Sequence, residues 1–173
     1  EELQVQKAKA KADIDKEKQL NLDFRNCVWN ENHAVLSHTL DEPEIDNRRF
    51  YNGIGGALQQ GFSQSNAKTQ LSFINCSFEN NTADCEGGAL AIQTLRDCTI
   101  QNSLFKNNRA GQYGSYDQAV NYGGAIYIDP DFNNNFVDST RTPNTIITNC
   151  TFESNMAKDD GHAISLTGTD AKV

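Results

Sequence analysis

The 173-residue chain lacks the features that mark several large classes of protein. No apolar run approaches the roughly 20 residues that a transmembrane helix requires, so we expect no membrane insertion by this segment. The 15 Lys and Arg residues are outnumbered by 23 Asp and Glu, and the resulting net charge of −8 argues against nucleic acid as a partner. The chain has no signal-peptide pattern and no Met at residue 1, which predicts that it is part of a larger protein.

The chain contains a repeat, with four copies of one pattern. The clearest copy is LSFINCSFENNTADCEGGALAI, over residues 71–92. Each copy has Asn followed by Cys or Ser, an aromatic residue, Asn, Ala, and then Gly-Gly-Ala or Gly-His-Ala. The aligned residues are Asn26, Asn75, Asn102 and Asn149; Cys27, Cys76, Ser103 and Cys150; Trp29, Phe78, Phe105 and Phe152; Asn32, Asn81, Asn108 and Asn155; and Ala34, Ala83, Ala110 and Ala157.

Alternation of apolar and polar residues within 71–92 predicts three short strands separated by corners. Leu71 and Phe73 are predicted to point inward, and the alternation carries Asn75 inward as well. Because Cys76 also reads as inward, the chain must turn between these two residues. Asn suits such a corner, since it tolerates a left-handed backbone better than other non-glycine residues. The third strand follows the Gly-Gly pair.

One such coil cannot bury its apolar side chains alone, so we expect the copies to stack about 4.8 Å apart. Like residues then lie over like, which predicts an interior aromatic column and two interior Asn columns. The predicted fold class is all-β, a single-stranded parallel β-helix of about four coils. Residues 1–19 are predicted to form a short helical or irregular N-terminal cap, 20–168 the β-helix, and 169–173 a C-terminal tail.

The Gly-Gly-Ala string followed by Leu or Ile, together with aromatic-x-x-Asn, resembles the repeats of chlamydial polymorphic membrane proteins. Similar repeats occur in large surface proteins of protists and bacteria. The resemblance implies a right-handed β-helix and an adhesive passenger region. The sequence departs from the family pattern at Gly161-His162, which stands where the other copies have Gly-Gly. The residues that carry it are Gly55, Gly56, Ala57 and Leu58; Gly87, Gly88, Ala89 and Leu90; Gly123, Gly124, Ala125 and Ile126; and the pairs Trp29 with Asn32, Phe78 with Asn81, Phe105 with Asn108 and Phe152 with Asn155.

The five cysteines are too few for a dense disulfide framework, and no CxxC pair or neighbouring His indicates zinc. We therefore expect no metal and no cofactor. Cys27, Cys76 and Cys150 share one inward position, which favours a column of buried thiols. A Cys27–Cys76 disulfide is the alternative, because stacked Cα atoms fall within disulfide range. Cys85 and Cys98 have no evident pairing partner.

Two insertions, residues 35–54 and 111–122, leave the stack at the same corner. The first brings four carboxylates and the second three tyrosines, so together they form a candidate binding face, with ordinary solvated loops as the alternative. Among three glycosylation sequons, the inward placement of Asn75 and Asn149 leaves Asn80 as the candidate site. The residues of the candidate binding face are Asp41, Glu42, Glu44, Asp46, Tyr113, Tyr116 and Tyr122.

Polysaccharide lyases and hydrolases built on β-helices need clustered carboxylates on an outer sheet face. The outward positions of the third strand hold Ala, Gln, Ser and Tyr instead, so we expect no catalysis. The predicted function is a structural or adhesive module of an extracellular or cell-surface protein, with a protein or glycan as its partner. A filament of copies stacked end to end is the alternative, and a polysaccharide-active enzyme is a more distant one.

Overall fold

The fold is a stack of short parallel strands, and it is seen in a computed structural model. The described residues form 17 strands, numbered β1 to β17 in chain order, and no helix. The predicted cap, residues 1–19, lies outside them. The structure describes residues 21–34, 53, 55–60, 69–93, 97–111, 121–129, 144–167 and 169–173.

Four parallel sheets run the length of the stack, and each coil contributes one strand to every sheet. This arrangement confirms the predicted all-β parallel β-helix of about four coils. The first sheet contains β1 (Asn21–Arg25), β5 (Gln70–Ile74), β9 (Asp97–Gln101), β13 (Asn144–Thr148) and β17 (Asp170–Lys172). The second contains β2 (Val28–Asn30), β6 (Ser77–Glu79), β10 (Leu104–Lys106) and β14 (Thr151–Glu153). The third contains β3 (His33–Ala34), β7 (Thr82–Ala83), β11 (Arg109–Ala110) and β15 (Met156–Ala157), and the fourth β4 (Leu58–Gln60), β8 (Leu90–Ile92), β12 (Ile126–Ile128) and β16 (Ile164–Leu166).

Each coil has four strands, so the prediction of three was wrong. The additional strand is the third one, which has only two residues, as in Thr82–Ala83. Two residues are too few to produce a visible alternation of apolar and polar side chains, and for that reason the sequence pattern missed this strand.

The corner asparagines do not lie inside, and this prediction was also wrong. Asn75 has a φ of 55° and is exposed, whereas Cys76 beside it is buried. A left-handed residue turns the chain so that strand alternation cannot be continued through it. Asn75 Nδ2 still donates to Asn26 Oδ1, at 3.4 Å, but this contact lies on the outside of the stack. The corrected residues, all exposed and left-handed, are Asn26, Asn75, Asn102 and Asn149.

The aromatic column lies inside, where the repeat predicts it. Phe78 and Phe105 are fully buried, and their ring centroids are 4.7 Å apart with an interplanar angle of 4°. Trp29 stacks on Phe78 at 4.5 Å, and Phe152 stacks on Phe105 at 5.0 Å. The two outermost rings are only half-buried, since each has a neighbouring coil of this column on one side.

A column of asparagines lies beside the aromatic rings. Asn81 and Asn108 are fully buried, and Asn81 Nδ2 donates to Asn108 Oδ1 at 2.9 Å. The backbone N–H of Asn81 donates to the same oxygen at 3.1 Å. Asn81 Nδ2 also donates to the backbone carbonyl of Trp29 in the preceding coil, at 3.1 Å. Asn32 and Asn155 continue this pattern at the two ends of the column. The polar groups of Asn81 and Asn108, which would be costly to bury unpaired, are therefore satisfied.

The second glycine of each Gly-Gly pair is required by the coil that follows it. A Cβ added at Gly124 would overlap the carbonyl oxygen of His162 and the backbone of Met156 in the next coil. Gly88 stands in the same relation to Gly124. His162 occupies this position in the fourth coil, where no described coil follows it. Its Nδ1 lies 3.1 Å from the carbonyl oxygen of Ala157. The Gly-His departure therefore marks the last complete described coil.

The chain continues after the fourth coil into β17, which pairs with β13 in the first sheet. This strand lies within residues 169–173, which the sequence pattern separates from the β-helix as a tail. The segment contains neither the aromatic residue nor the Gly pair of the repeat, so the sequence does not assign it to the β-helix. Only its pairing with β13 shows that it belongs to the stack.

These contacts predict opposite outcomes for two substitutions at equivalent positions. Gly124→Ala should lower the free energy of unfolding by at least about 3 kcal/mol, because the added methyl group meets backbone atoms that cannot move independently. His162→Ala should change it by less than about 1 kcal/mol, because His162 is exposed and no described coil covers it. Urea denaturation measures both values. Similar losses for the two variants would contradict the assignment of the second glycine to coil stacking.

Candidate functional site

Most of the predicted binding face lies outside the described residues, and only Tyr122 can be placed. Its side chain is half-buried, and its ring centroid lies 6.4 Å from that of Tyr127. Tyr122 forms a parallel bridge with Asp160 of the next coil, immediately before Gly123. The residues outside the described ranges are Asp41, Glu42, Glu44, Asp46, Tyr113 and Tyr116.

A group of polar side chains lies on the outer side of the fourth sheet, and we call it the fourth-sheet cluster. It consists of Glu86, Gln93, Tyr122, Tyr127 and Asp129. Tyr127 occupies the outward position of β12, between the inward residues Ile126 and Ile128, yet it is only 3% exposed. Its hydroxyl donates to Asp129 Oδ2 at 3.0 Å. Tyr127 was predicted to face outward, and the structure shows that this outward face is buried.

Glu86 is a buried carboxyl group of the cluster. It precedes Gly87 in the second coil and is 7% exposed. Burial raises the pKa of Glu86 to about 8, and the negative charge of Asp129 contributes to the same shift. Burial also raises the pKa of Tyr127, with the charges of Glu86 and Asp129 as further causes. Glu86 therefore holds its proton at neutral pH.

Gln93 is fully buried, and neither its side-chain oxygen nor its side-chain nitrogen has a hydrogen-bond partner. It follows Ile92 at the end of β8, and the Asp129 N–H donates to the Ile92 carbonyl at 2.9 Å. Gln93 and Asp129 thus follow the ends of two neighbouring strands, β8 and β12, at the same edge of the fourth sheet. The cluster can hold and exchange a proton, but its burial leaves little room for a substrate. No group of three or more His, Cys, Asp or Glu suited to a metal occurs within the described ranges.

The sequence pattern missed the carboxylates of this cluster because they flank the strand instead of lying within it. Glu86 comes before the Gly pair, and Asp129 comes after Ile128. Asp129 could have been found from the sequence, since it lies two residues after the outward Tyr127. The burial of Glu86, and the effect of the Asp129 charge on its pKa across 43 positions of sequence, have no local signal.

A second candidate site is a cavity of about 310 Å³ on the outer face of the first sheet, which we call the first-sheet groove. The side chains come from three neighbouring strands in register, which gives two rows of three residues. One row follows the first residue of each strand, and the other follows the third. The outward residues of the groove are Gln70, Asp97 and Asn144 in the first row, and Ser72, Thr99 and Ile146 in the second.

Asp97 holds the groove together. Its Oδ2 accepts a hydrogen bond from Gln70 Nε2 at 3.1 Å, and its Oδ1 accepts one from the Asn144 N–H at 3.2 Å. The carboxylate therefore links all three strands of the groove. On the same face, Arg25 Nε lies 2.7 Å from Asp23 Oδ2, and both side chains are largely exposed. The exposure of this ion pair indicates a surface contact that contributes little to stability.

The five cysteines all lie in described ranges, and all are free thiols. Burial raises the pKa of Cys76 and of Cys150, so neither forms a thiolate easily. Burial likewise raises the pKa of Cys85 to about 11 and that of Cys98 to about 12. The environments of Cys76 and Cys150 agree with the predicted column of thiols at the position of Cys27. The alternative, a Cys27–Cys76 disulfide, is not formed in this structure.

The sequon asparagines are all exposed at corners. Asn75 and Asn149 lie at the first corner and Asn80 at the second, each with a left-handed backbone. The expected protection of Asn75 and Asn149 rested on their inward placement, and that reason no longer holds. Asn80 Nδ2, the atom that would carry a glycan, donates to Asn30 Oδ1 at 3.0 Å.

The coils and their ladders define the chain as a solenoid of the parallel β-helix class. A family model described as the Chlamydia polymorphic membrane protein (Chlamydia_PMP) repeat matches residues 75–93 and 102–129, within the second and third coils. These coils are therefore similar to the polymorphic membrane protein repeat, which confirms the resemblance seen in the sequence. The family's description agrees with the broad expectation of a surface protein.

No curated protein and no solved structure gives a significant match to the chain. Within the part of the chain that the structure describes, no helix has the length and apolar character needed to cross a membrane.

The buried carboxyl group of Glu86 predicts a pH-dependent stability. The folded protein holds this proton up to about pH 8, whereas the unfolded chain releases it near the ordinary value of 4.5. Between these two pH values the folded state binds more protons at Glu86 than the unfolded chain does. The free energy of unfolding therefore falls as pH rises from about 4.5 to 8. Glu86→Gln should match the unmodified protein near pH 4 and exceed it at pH 8, by on the order of 1–4 kcal/mol.

Urea denaturation at several pH values measures this difference. Glu31→Gln is the matched control, since Glu31 is exposed and the variant should show no such gain. A Glu86→Gln variant that is equally destabilised at every pH would contradict the buried, protonated state of Glu86.

Proposed function

We propose that the chain is a non-catalytic structural and adhesive module of a cell-surface protein. The observation that carries the proposal is the match of two coils to a repeat of Chlamydia membrane proteins. The physical reason is that different residues of a coil stabilise the stack and face the solvent. Inward residues are committed to ladders that continue from coil to coil, and this leaves the loops and outer faces free to vary. The module thus presents binding groups on a rigid support.

The two insertions are candidate sites for a partner. The first leaves the stack after Ala34 at the end of β3, and the second after β11, which ends at Ala110. After each insertion the chain enters the fourth sheet, at β4 after the first and at β12 after the second. The insertions therefore leave the same corner in the first and third coils, with the second coil between them. An insertion rich in carboxylates and an insertion rich in tyrosines that leave the same corner suit a protein or a glycan.

End-to-end assembly is the second candidate, and one observation favours it. The asparagine column is directional, with Asn32 donating its backbone and side-chain N–H groups to Asn81 Oδ1. Among the described residues, none donates to Asn32 Oδ1, so the first coil offers an acceptor to a further coil. At the other end His162 occupies the position that a following coil requires to be glycine, and β17 covers β13. These obstacles favour lateral binding over a filament.

A polysaccharide-active enzyme remains the least supported candidate. The fourth-sheet cluster supplies a protonated carboxyl near a carboxylate, which is a feature of glycosidases. However, Glu86 and Tyr127 are 7% and 3% exposed. A substrate chain could reach neither side chain unless the residues packed around it moved away. For this reason we assign no catalytic role to the cluster.

The adhesive role predicts that attachment depends on the insertions. Replacing residues 35–52 or 112–120 with a short Gly/Ser turn should preserve the β-type circular dichroism, because both segments lie between the strands β1 to β17 and solenoids tolerate changes in such loops. Attachment of protein-coated beads to host cells or matrix should fall severalfold. Residues 111, 121 and 122 are kept, since Asn121 is fully buried and Tyr122 pairs with Asp160.

The matched control replaces residues 131–142, a loop that leaves a different corner between β12 and β13. Attachment should survive this change. If all three replacements leave attachment intact, the loop face is not the adhesive surface. Concentration-dependent filaments in electron micrographs would instead favour end-to-end assembly.

A further inference from the structure

We propose that the first-sheet groove binds a neutral glycan. This inference rests on the proposed adhesive function and names a ligand class and a second surface for it. The groove lies on the outer face of the first sheet, whereas the insertions leave a corner between the third and fourth sheets. The two surfaces can therefore be tested separately.

The geometry of the groove is set by the strand register. Gln70, Asp97 and Asn144 are direct neighbours on adjacent strands, as are Ser72, Thr99 and Ile146. Neighbouring strands are about 4.8 Å apart, which is close to the length of one sugar ring in an extended chain. The hydrogen bonds from Gln70 and Asn144 to Asp97 keep the first row in place before a ligand arrives. Such preorganisation lowers the entropic cost of binding.

The chemistry of the lining selects for hydroxyl groups. Ser72 and Thr99 provide hydroxyls that donate and accept, and Asn144 provides a carboxamide that does both. The Ile146 side chain adds an apolar surface for the C–H groups of a ring. Both oxygens of Asp97, the charged side chain of the lining, already accept hydrogen bonds. The described residues of the lining include no Lys or Arg, and in a chain of net charge −8 this disfavours uronate, sulfate and phosphate groups.

A peptide fits the groove less well. The backbone groups of β5, β9 and β13 are used in pairing with strands on both sides, so an added strand would find no ladder to extend. Among the residues that the structure describes, the groove has no Trp, Tyr or Arg, which are the anchors that dominate protein interfaces. Its volume of about 310 Å³ lies at the lower end of the range for small-molecule pockets, about 300–1,000 Å³, and this suits one or two sugar units.

The test is binding of the full chain to a panel of defined oligosaccharides, followed by titration calorimetry of those that bind. The panel contains neutral oligosaccharides of glucose, galactose, mannose and N-acetylglucosamine, together with uronate-containing and sulfated ones. We expect binding among the neutral members. Thr99→Val should weaken it about tenfold, as the loss of a hydrogen bond in a preformed site does.

Thr148→Val is the matched control. Thr148 has the same side chain and also faces outward from the first sheet, on β13, but it does not line the groove. Its affinity should equal that of the unmodified protein. Ser72→Ala gives a second variant within the groove, should Thr99→Val fail to fold as judged by circular dichroism.

Several results would overturn the proposal. These are the absence of binding to every neutral oligosaccharide, binding restricted to the charged members, and an equal loss in Thr99→Val and Thr148→Val. Binding of a peptide that Thr99→Val weakens would reassign the groove to a protein partner. If glycan binding fails while the insertion replacements still reduce attachment, the adhesive function stands and only the groove proposal is lost.

Discussion

Asn81 and Asn108 are each hydrogen-bonded to the coil before and to the coil after, and the rest of the structure depends on this constraint. Asn108 donates to the Phe78 carbonyl behind it and to Asn155 Oδ1 ahead, while its own Oδ1 accepts from Asn81. These bonds form only when like residues lie over like. The same register brings Phe78 onto Phe105 in the aromatic column. It also aligns the outer residues that make the first-sheet groove.

Tight stacking limits what the corners and ends can contain. The second glycine of the pair is needed wherever a coil follows, and His162 shows what is tolerated where none is described. Loops leave at corners, outside the hydrogen-bonded ladders, so they can change length without disturbing the register. A rigid column with variable loops and outer faces is well suited to display binding groups at a surface. The proposed binding surfaces and the stabilising ladders thereby use different residues of the same coil.

The repeat predicted the coil, the aromatic column and the asparagine column of Asn81, because each is a recurrence at a fixed sequence position. It misplaced Asn75, since a single left-handed residue reverses the alternation and leaves no mark on the pattern. It missed the Thr82–Ala83 strand, which is too short to alternate. The fourth-sheet cluster and the first-sheet groove could not be predicted from one coil. Both join residues of different coils, and the partners of Glu86 and Asp97 become visible only once the register is known.

The central claim is that the buried asparagine column sets the register, and a comparison of two adjacent asparagines tests it most directly. Asn108→Ala removes a side chain that takes part in four hydrogen bonds, so it should lower the free energy of unfolding by at least about 3 kcal/mol. Asn107→Gly changes an exposed residue with a φ of 55°, which glycine adopts freely, and it should cost less than about 1 kcal/mol. Equal losses in urea denaturation would contradict the claim.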